Sequence, residues 1–294
     1  MPLHAEPPPG VAPDWTIPQG FERYSAKAHG TWRTLYRRQV RTLAGRAVPA
    51  FLEGLRRLDM EDGIPDFRRL SDRLERLTGW RVVAVPGLVP DDVFFAHLAG
   101  RRFVAGNFIR GPHELDYLEA PDVFHDVFGH VPLLTHPVFA DYMEAYGRGG
   151  LRALGLGALT PLARLYWYTV EFGLVETEAG LRIYGAGILS SRSESRYALE
   201  DPRPVRIAFD LMRVMRTRYR IDDFQETYFV IPSFAHLLEV TLETDFAPIY
   251  RTLASLPALE PGEVLPGDRL CPLGRRSRPR RRTAPGAPLE ARAG

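Results

Sequence analysis

The sequence contains little that would place the protein outside the cell or in a membrane. Its single cysteine, Cys271, cannot form an intramolecular disulfide, and this suits a reducing compartment. The N-terminus has neither the basic nor the apolar stretch of a secretory signal. No run reaches the roughly 18 apolar residues of a membrane helix. We therefore expect a cytoplasmic protein with no membrane partner.

An excess of positive over negative charge is found only at the C-terminal end. The net charge is +2, but residues 275–294 hold seven arginines and one glutamate, so the other 274 residues together carry a charge of −4. An acidic body lacks the basic surface that binds nucleic acid, so we expect no nucleic-acid partner. The Arg-rich end is typical of a solvated, disordered tail, with a nucleic-acid or membrane-surface role as the alternative.

Internal repeats and a glycine-rich phosphate loop after a strand are also missing. Apolar residues instead recur at the spacing of one helix face, as at Phe67, Leu70 and Leu74. The sequence therefore predicts a mainly α fold with a few short β-strands in a single domain. The expected boundaries are a disordered segment 1–13, a folded domain 14–265 that would hold any active site, and a Pro/Arg-rich disordered tail 266–294.

Several elements can be predicted individually from periodicity and turn residues. Helices are expected at 91–98, 159–174, 187–199, 205–216 and 233–253. Strands are expected at 81–85, 103–109, 219–221 and 227–231. Residues 147–157 hold five glycines, which predicts a mobile connection.

Two histidines, His125 and His130, lie five residues apart among bulky apolar residues. Side chains five apart on a regular α-helix point about 140° apart, because each residue turns the helix by about 100°. Both rings can reach one metal only if the helix ends or loosens between them. Gly129 and Pro132 favour an ending, which would leave His125 on the last regular turn. A structural role for both histidines stays open from spacing alone.

A carboxylate in an apolar run supplies a candidate third ligand. Glu171 lies among the aromatic and aliphatic residues of 166–174, where an unpaired charge is costly to bury. Metal ligation would remove that cost, and so would a salt bridge to an arginine. Two histidines and one carboxylate form the facial triad of non-haem iron(II) oxygenases. The same ligands can also hold catalytic zinc.

At these residues the sequence resembles the pterin-dependent aromatic amino acid hydroxylases, in particular their bacterial phenylalanine-hydroxylating branch. The resemblance covers about residues 14–255. Four motifs carry it in order: Asn107–Arg110, Pro121–His130, Tyr166–Leu174 and Tyr184–Ser191.

The resemblance implies iron ligation by His125, His130 and Glu171, with Asp126 beside the iron. It implies a substrate site in which Arg110, positioned by Asp122, pairs with the substrate carboxylate. The remaining substrate residues that it implies are Pro121, Trp167, Phe172, Gly187, Ser190 and Ser191. Taken alone, these residues would be ordinary surface or core positions.

The resemblance also implies a tetrahydropterin site. The matching residues are Gly87, Leu88, Phe94, Asp126, Ala163 and Tyr166, with Phe94 stacked on the pterin ring. The sequence departs from the family at two positions. Asp126 stands where many members have glutamate, which shortens the reach of the acid. Leu118 replaces a threonine of the animal enzymes, so the detailed substrate contacts are expected to differ there.

The implied activity is hydroxylation of L-phenylalanine to L-tyrosine with O2, Fe(II) and a tetrahydropterin, by a monomer. It leaves open whether the product serves tyrosine synthesis or phenylalanine breakdown. The nearest alternative is hydroxylation of tryptophan or tyrosine. A zinc hydrolase with the same ligands would instead act without oxygen or pterin. A protein that only binds an aromatic ligand, or binds nucleic acid through its tail, would not depend on His125.

Overall fold

The computed structural model of the protein describes residues 6–116 and 121–273, so Leu118 and the Arg-rich residues 275–294 lie outside the described residues. Helices dominate, and the strands are few and short, as predicted. The α-helices are α1 (Ala26–Leu43), α2 (Pro49–Leu58), α3 (Phe67–Thr78), α4 (Asp91–Ala99), α5 (Pro137–Gly155), α6 (Leu159–Tyr166), α7 (Ala186–Ser190), α8 (Arg192–Glu200), α9 (Leu211–Arg216), α10 (Phe234–Glu243) and α11 (Phe246–Ser255). Two π-helices, Phe124–His130 and Trp167–Glu171, interrupt this pattern.

The strands form two small sheets. They are β1 (Arg81–Val85), β2 (Arg102–Gly106), β3 (Leu174–Thr177), β4 (Gly180–Ile183), β5 (Val205–Ala208) and β6 (Thr227–Ile231). Strands β1 and β2 pair in parallel, with α4 as their crossover. The second sheet has the order β4-β3-β6-β5, in which only the β3–β4 pair is antiparallel.

An aromatic core supports the first π-helix from behind. The rings of Phe124 and Phe128 stack at 4.6 Å, and Trp32 meets Phe124 edge-on at 5.3 Å. All three side chains are fully buried. Such offset and edge-to-face contacts add to the free energy gained by removing the rings from water. The π-helix is therefore fixed on one face, while its other face is free to present polar side chains.

Residues 147–155 belong to a helix, and two of their glycines let it pack closely against another, so the expected mobile connection is wrong for most of this segment. Gly147 and Gly150 lie within α5. A Cβ at Gly147 would lie 2.4 Å from the backbone nitrogen of Ala99, and one at Gly150 would lie 2.0 Å from the Phe95 ring. The glycines allow α4 and α5 to approach closely, and this requirement leaves no local sequence pattern.

Three helices expected from the sequence are shortened or divided in the structure, where capping side chains start new helices. In 205–216, β5 comes first and Asp210 then caps α9 by accepting the backbone N–H of Arg213. In 233–253, Asp245 accepts the N–H of Ala247 and begins α11. Side-chain acceptors at the N-cap favour such starts. Similarly, 187–199 contains two helices, with Ser191 as the cap of α8.

The described part of the expected C-terminal tail is partly folded. The N–H of Cys271 donates to the Arg206 carbonyl, and Leu270 bridges to Ile207, both in β5. Asp268 forms a buried ion pair with Arg213. These residues therefore belong to the folded body, although the expected tail began at 266. Among the described residues, no helix combines the length and apolarity needed to cross a membrane.

Candidate metal centre and active site

The two histidines share a site because their helix has a wider turn. Phe124–His130 is a π-helix, whose i→i+5 hydrogen bonds bring residues five apart to the same side. The helix therefore loosens between His125 and His130, as one of the two expected routes requires. It does not end at Gly129, which lies inside it. A Cβ there would lie 3.0 Å from the carbonyl oxygen of Ala186, so this glycine allows α7 to pack closely.

The expected third ligand ends the second π-helix. The N–H of Phe172 donates to the Trp167 carbonyl at 2.8 Å, an i→i+5 bond that closes the turn. This turn directs Glu171 towards the two histidines. Within the described residues, the side chains that pair with the Glu171 carboxylate are the two histidines, and no arginine forms a salt bridge with it there.

The three side chains converge on one point. The Nε2 atoms of His125 and His130 lie 3.3 Å apart. Glu171 Oε1 lies 3.2 Å from His130 Nε2, and Glu171 Oε2 lies 3.6 Å from His125 Nε2. One ligand atom from each residue falls within 4.8 Å of the others.

The hydrogen bonding of His125 leaves its Nε2 atom available as a ligand. Ser190 Oγ donates to the Ala186 carbonyl at 2.9 Å, and it lies 3.0 Å from His125 Nδ1. Because the hydroxyl proton is directed to the carbonyl, the serine oxygen accepts from Nδ1–H, and the lone pair of Nε2 faces the site. A hydrogen bond of this kind to the distal ring nitrogen is usual for metal-binding histidines. Ser190 was expected only beside the substrate.

These donors fit a divalent first-row metal. Two ligand atoms that each lie about 2.1 Å from one ion, at right angles, are about 3 Å apart, close to the separations seen here. The donor set of two imidazoles and a carboxylate matches the facial triad of non-haem iron(II). Zinc can use the same donors, so the geometry alone does not choose between the two metals.

An ion pair next to the centre holds a guanidinium in place. Asp122 Oδ2 and Oδ1 accept from Nε and Nη2 of Arg110 at 2.9 and 2.8 Å. Oδ1 also accepts the backbone N–H of His125 at 3.0 Å. Asp122 is fully buried, and the Arg110 side chain is 9% exposed. The bidentate pair therefore ties Arg110 to the histidine-bearing helix, and Nη1 has no hydrogen bond within the described residues.

Trp167 and Phe172, both expected beside a substrate ring, lie together at 4.8 Å between ring centroids. We call these two rings the aromatic wall. A Cβ on Gly187 would lie 2.8 Å from the Phe172 ring, so Gly187 is in contact with the wall. Pro121 directly precedes the buried Asp122, and Ser191 follows Ser190 at the start of α8.

The back of the Trp167 wall was not foreseen from the sequence. Tyr219 stacks on Trp167 at 4.2 Å and 13°, and the indole Nε1–H donates to Gln225 Oε1 at 2.9 Å. The strand expected at 219–221 is wrong: this segment is an irregular loop whose Arg220 carbonyl accepts from the Gln225 side chain. Both partners lie more than 50 residues away along the chain, where no local motif points to them.

The residues expected to bind a pterin fall into two groups: those with defined contacts in the protein, and those on exposed surface. Phe94 and Tyr166 meet edge-on at 5.8 Å, and Tyr166 lies 6.4 Å from the His130 ring. Asp126 accepts the backbone N–H of Gly106 at 2.8 Å. Ala163 is exposed on α6, one turn before Tyr166, whereas Gly87 and Leu88 lie in the exposed loop between β1 and α4. Tyr166 therefore lies beside the candidate ligand His130, whereas Gly87, Leu88 and Ala163 lie on exposed surface.

Burial and the neighbouring basic groups act against each other on the carboxylates. Burial works to raise the pKa of Glu171, but the interactions with the His130 and His125 imidazoles outweigh it, so the pKa lies below its ordinary value. Burial and Arg110 oppose each other at Asp122 in the same way, and its pKa is also lowered. At Asp126 burial prevails and raises the pKa. Glu171 is therefore held ionised, as a metal ligand must be.

Comparison with known proteins identifies the family. Residues 16–247 match the model of the biopterin-dependent aromatic amino acid hydroxylases. The chain is 67% identical over 263 residues to phenylalanine-4-hydroxylase of Caulobacter vibrioides, with 89% of each chain covered. It is 61% identical over 258 residues to the enzyme of the same name from Chromobacterium violaceum, with 87% of this chain and 86% of that one covered.

Solved structures give the same result. The Chromobacterium violaceum phenylalanine hydroxylase bound to cobalt superposes with a TM-score of 0.86 at 61% identity, covering 87% of this chain and 93% of that one. Its form with bound oxidised Fe(III) gives a TM-score of 0.85 at 61% identity, covering 87% and 94%. The chain therefore belongs to the family of biopterin-dependent aromatic amino acid hydroxylases, and it is an iron-binding monooxygenase of that family.

Proposed function

We propose that the protein is a phenylalanine 4-monooxygenase, which converts L-phenylalanine to L-tyrosine with O2 and a tetrahydropterin at an Fe(II) held by His125, His130 and Glu171. The observation that carries the proposal is the convergence of these three side chains, with Nε2 atoms 3.3 Å apart. High identity to proteins named phenylalanine-4-hydroxylase supports the choice of substrate. Bound iron and tetrahydropterin together supply the oxygen activation and the two electrons for the reaction.

Arg110 binds the carboxylate of the amino acid in this proposal. Two of its nitrogens are engaged by Asp122, which leaves Nη1 for the substrate. A guanidinium already held by a buried carboxylate loses little side-chain freedom when substrate binds, and this favours tight and oriented binding. Gly187, Ser190 and Ser191 border the same end of the site.

Trp167, Phe172 and Pro121 surround the aromatic ring of the substrate. Their task is to orient the ring towards the metal site and to exclude water from it. Fixing the reacting groups in this way converts an encounter between molecules into a reaction within one complex, which is a large part of the catalytic advantage. A flat, half-buried wall of this kind suits a benzene ring.

Phe94 and Tyr166 contact the pterin ring in this proposal, with Ala163, Gly87 and Leu88 along the edge of the site. Asp126 lies between this region and the metal ligands, where its carboxyl group can orient a polar group of the pterin or a water molecule. Its hydrogen bond with Gly106 fixes the position of that carboxyl group.

The test is a turnover assay with the iron-loaded protein. Fe(II) is added under anaerobic conditions, followed by air, L-phenylalanine and a tetrahydropterin, and tyrosine is measured by chromatography. Glu171→Ala is the variant, and Glu176→Ala, at an exposed position of β3, is its matched control. Tyrosine formed by the wild type and the control but not by Glu171→Ala is the expected result.

Tryptophan and tyrosine are assayed beside phenylalanine. A faster reaction with either would reassign the substrate within the family. Turnover with zinc and without oxygen or pterin would refute the hydroxylase assignment altogether.

The cytoplasmic location and the monomeric state expected from the sequence are part of the same proposal. A single, buried cysteine is consistent with a reducing compartment. Cell fractionation and light scattering on the purified chain test the two statements.

A further inference from the structure

The indole of Trp167 is held on three sides. Tyr219 stacks on one face at 4.2 Å, and Phe172 packs at 4.8 Å with a tilt of 33°. At its edge, Nε1–H donates to Gln225 Oε1 at 2.9 Å. Stacking alone lets a flat ring slide or turn in its plane, whereas a directional hydrogen bond at the edge prevents it.

The amide of Gln225 is itself fixed in one orientation. Its Nε2 donates to the Arg220 carbonyl at 2.8 Å and, more weakly, to the Asp223 carbonyl at 3.4 Å. Since both of these partners are acceptors, the amide oxygen has to be the atom that faces the indole. Gln225 is also 2% exposed, so water does not replace either contact.

A buried carboxylate connects Gln225 to the other side of the site. The backbone N–H of Gln225 donates to Glu194 Oε1 at 3.3 Å, and the Tyr228 hydroxyl donates to the same oxygen. The N–H of Glu194 in turn donates to Ser191 Oγ at 3.3 Å. This chain of contacts joins the loop behind Trp167 to the start of α8, directly after Ser190.

A different rotation of the indole would leave two polar atoms without partners, the indole N–H and the oxygen of the buried Gln225. Such a loss disfavours alternative rotamers more strongly than a change of packing alone. The hydrogen bond therefore decides which edge of Trp167 faces the space beside Phe172.

We propose that Gln225 is a positioning residue, which fixes the orientation of the Trp167 indole and thereby the shape of the pocket for the substrate ring, with Glu194 holding Gln225 in place. The proposal rests on the function proposed above, because it concerns the aromatic wall of that substrate site. Gln225 does not touch the substrate; it acts through Trp167.

A double-mutant cycle separates positioning from a purely structural role. Gln225→Leu removes the acceptor at similar volume, and Trp167→Phe removes the donor. We expect Gln225→Leu to raise KM for L-phenylalanine about fivefold, the factor that corresponds to one hydrogen bond of typical net strength. In the Trp167→Phe background the same substitution should leave KM unchanged. An equal rise in both backgrounds would overturn the proposal, since Gln225 would then act independently of the indole.

The matched control is Tyr168→Phe. The Tyr168 hydroxyl donates to the Arg218 carbonyl, just before the same loop, so its removal costs one hydrogen bond without affecting the Trp167 edge. KM should stay at the wild-type value in this variant. If Tyr168→Phe raises KM as much as Gln225→Leu does, general loosening of the loop explains the effect and the proposal is wrong.

A readout that needs no turnover keeps this test independent of the proposed function. The emission of Trp167 is isolated as the difference between metal-free protein and its Trp167→Phe variant, and this difference is measured with and without Gln225→Leu. We expect the substitution to shift the emission maximum, whereas Tyr168→Phe should not. Gln225→Met, which matches the length of the side chain, replaces Gln225→Leu if that variant does not fold. If Gln225→Leu leaves the emission maximum of Trp167 unshifted, the proposed link between Gln225 and the indole is refuted. If the emission shifts but the wild-type protein forms no tyrosine from phenylalanine, only the proposed enzymatic function is refuted.

Discussion

Glu194 is the buried acid for which the structure implies a measurable pH effect on stability. The residue is 5% exposed, and burial raises its pKa from 4.5 to about 7, although the Tyr228 hydroxyl and the Gln225 N–H work in the opposite direction. The folded protein therefore binds more protons than the unfolded chain between these two values. Its stability falls as the pH rises through that window, and above it the loss is complete.

The size of the loss follows from the two pKa values. At about 1.36 kcal/mol per pKa unit, the raised pKa of Glu194 lowers the stability by about 1 kcal/mol at pH 5 and by about 3 kcal/mol at pH 8, relative to low pH. Glu194→Gln removes this cost because the amide stays neutral, and its oxygen can still accept from Tyr228 and Gln225. We therefore expect the variant to gain stability over the wild type by about 2 kcal/mol more at pH 8 than at pH 5.

Urea unfolding of the metal-free protein at both pH values measures this difference. Glu176→Gln, at an exposed position of β3, is the control and should change stability equally at both pH values. A gain for Glu194→Gln that is the same at pH 5 and pH 8 would refute the reasoning, because the effect would then come from packing and not from ionisation.

Three further predictions follow from contacts around the site. Ser190→Ala should weaken cobalt binding about 10–100-fold, because it removes the partner of a ligand histidine; a titration showing unchanged affinity contradicts this. Asp122→Ala should lower the free energy of unfolding by about 3–5 kcal/mol, since Arg110 loses its buried partner, and denaturant unfolding measures it. Gly150→Ala should destabilise by about 1–3 kcal/mol through overpacking, whereas Gly155→Ala, whose Cβ would meet nothing within 4 Å, should not; equal unfolding midpoints would count against the packing argument.

The main outline of the fold follows from local sequence signals. The strand at 81–85 and the helix from Asp91 are found where periodicity predicts them, because each forms from side chains close together in the chain. Residues 205–216 were expected to be one helix, but the first four of them form the edge strand β5. This strand forms by pairing with β6, which lies later in the chain, so a local pattern does not predict it.

In the candidate site, too, some features follow from local sequence and others depend on the folded chain. The three candidate ligands could be proposed from the sequence, because two histidines and an acid in apolar surroundings are uncommon, although their spacing alone left a structural role open. The π-helical form of the segment that brings His125 and His130 together could not be predicted, because it depends on the aromatic side chains packed behind the helix and on the contact with Ala186. Gln225 could not be found either, since it meets Trp167 only after the chain has folded.

Both ligand-bearing segments are π-helical, and this makes the centre sensitive to the number of residues as well as to their identity. Each wide turn amounts to one residue accommodated within an otherwise α-helical path. Deleting one residue between His125 and His130 would restore the ordinary α pitch and rotate everything after the deletion by about 100° relative to what precedes it. Point substitutions in this segment leave the spacing intact, whereas a single-codon deletion changes the phase of the helix. The geometry of the centre thus depends on the number of residues in these two segments. Insertions and deletions should be tolerated least within 124–130 and 167–171.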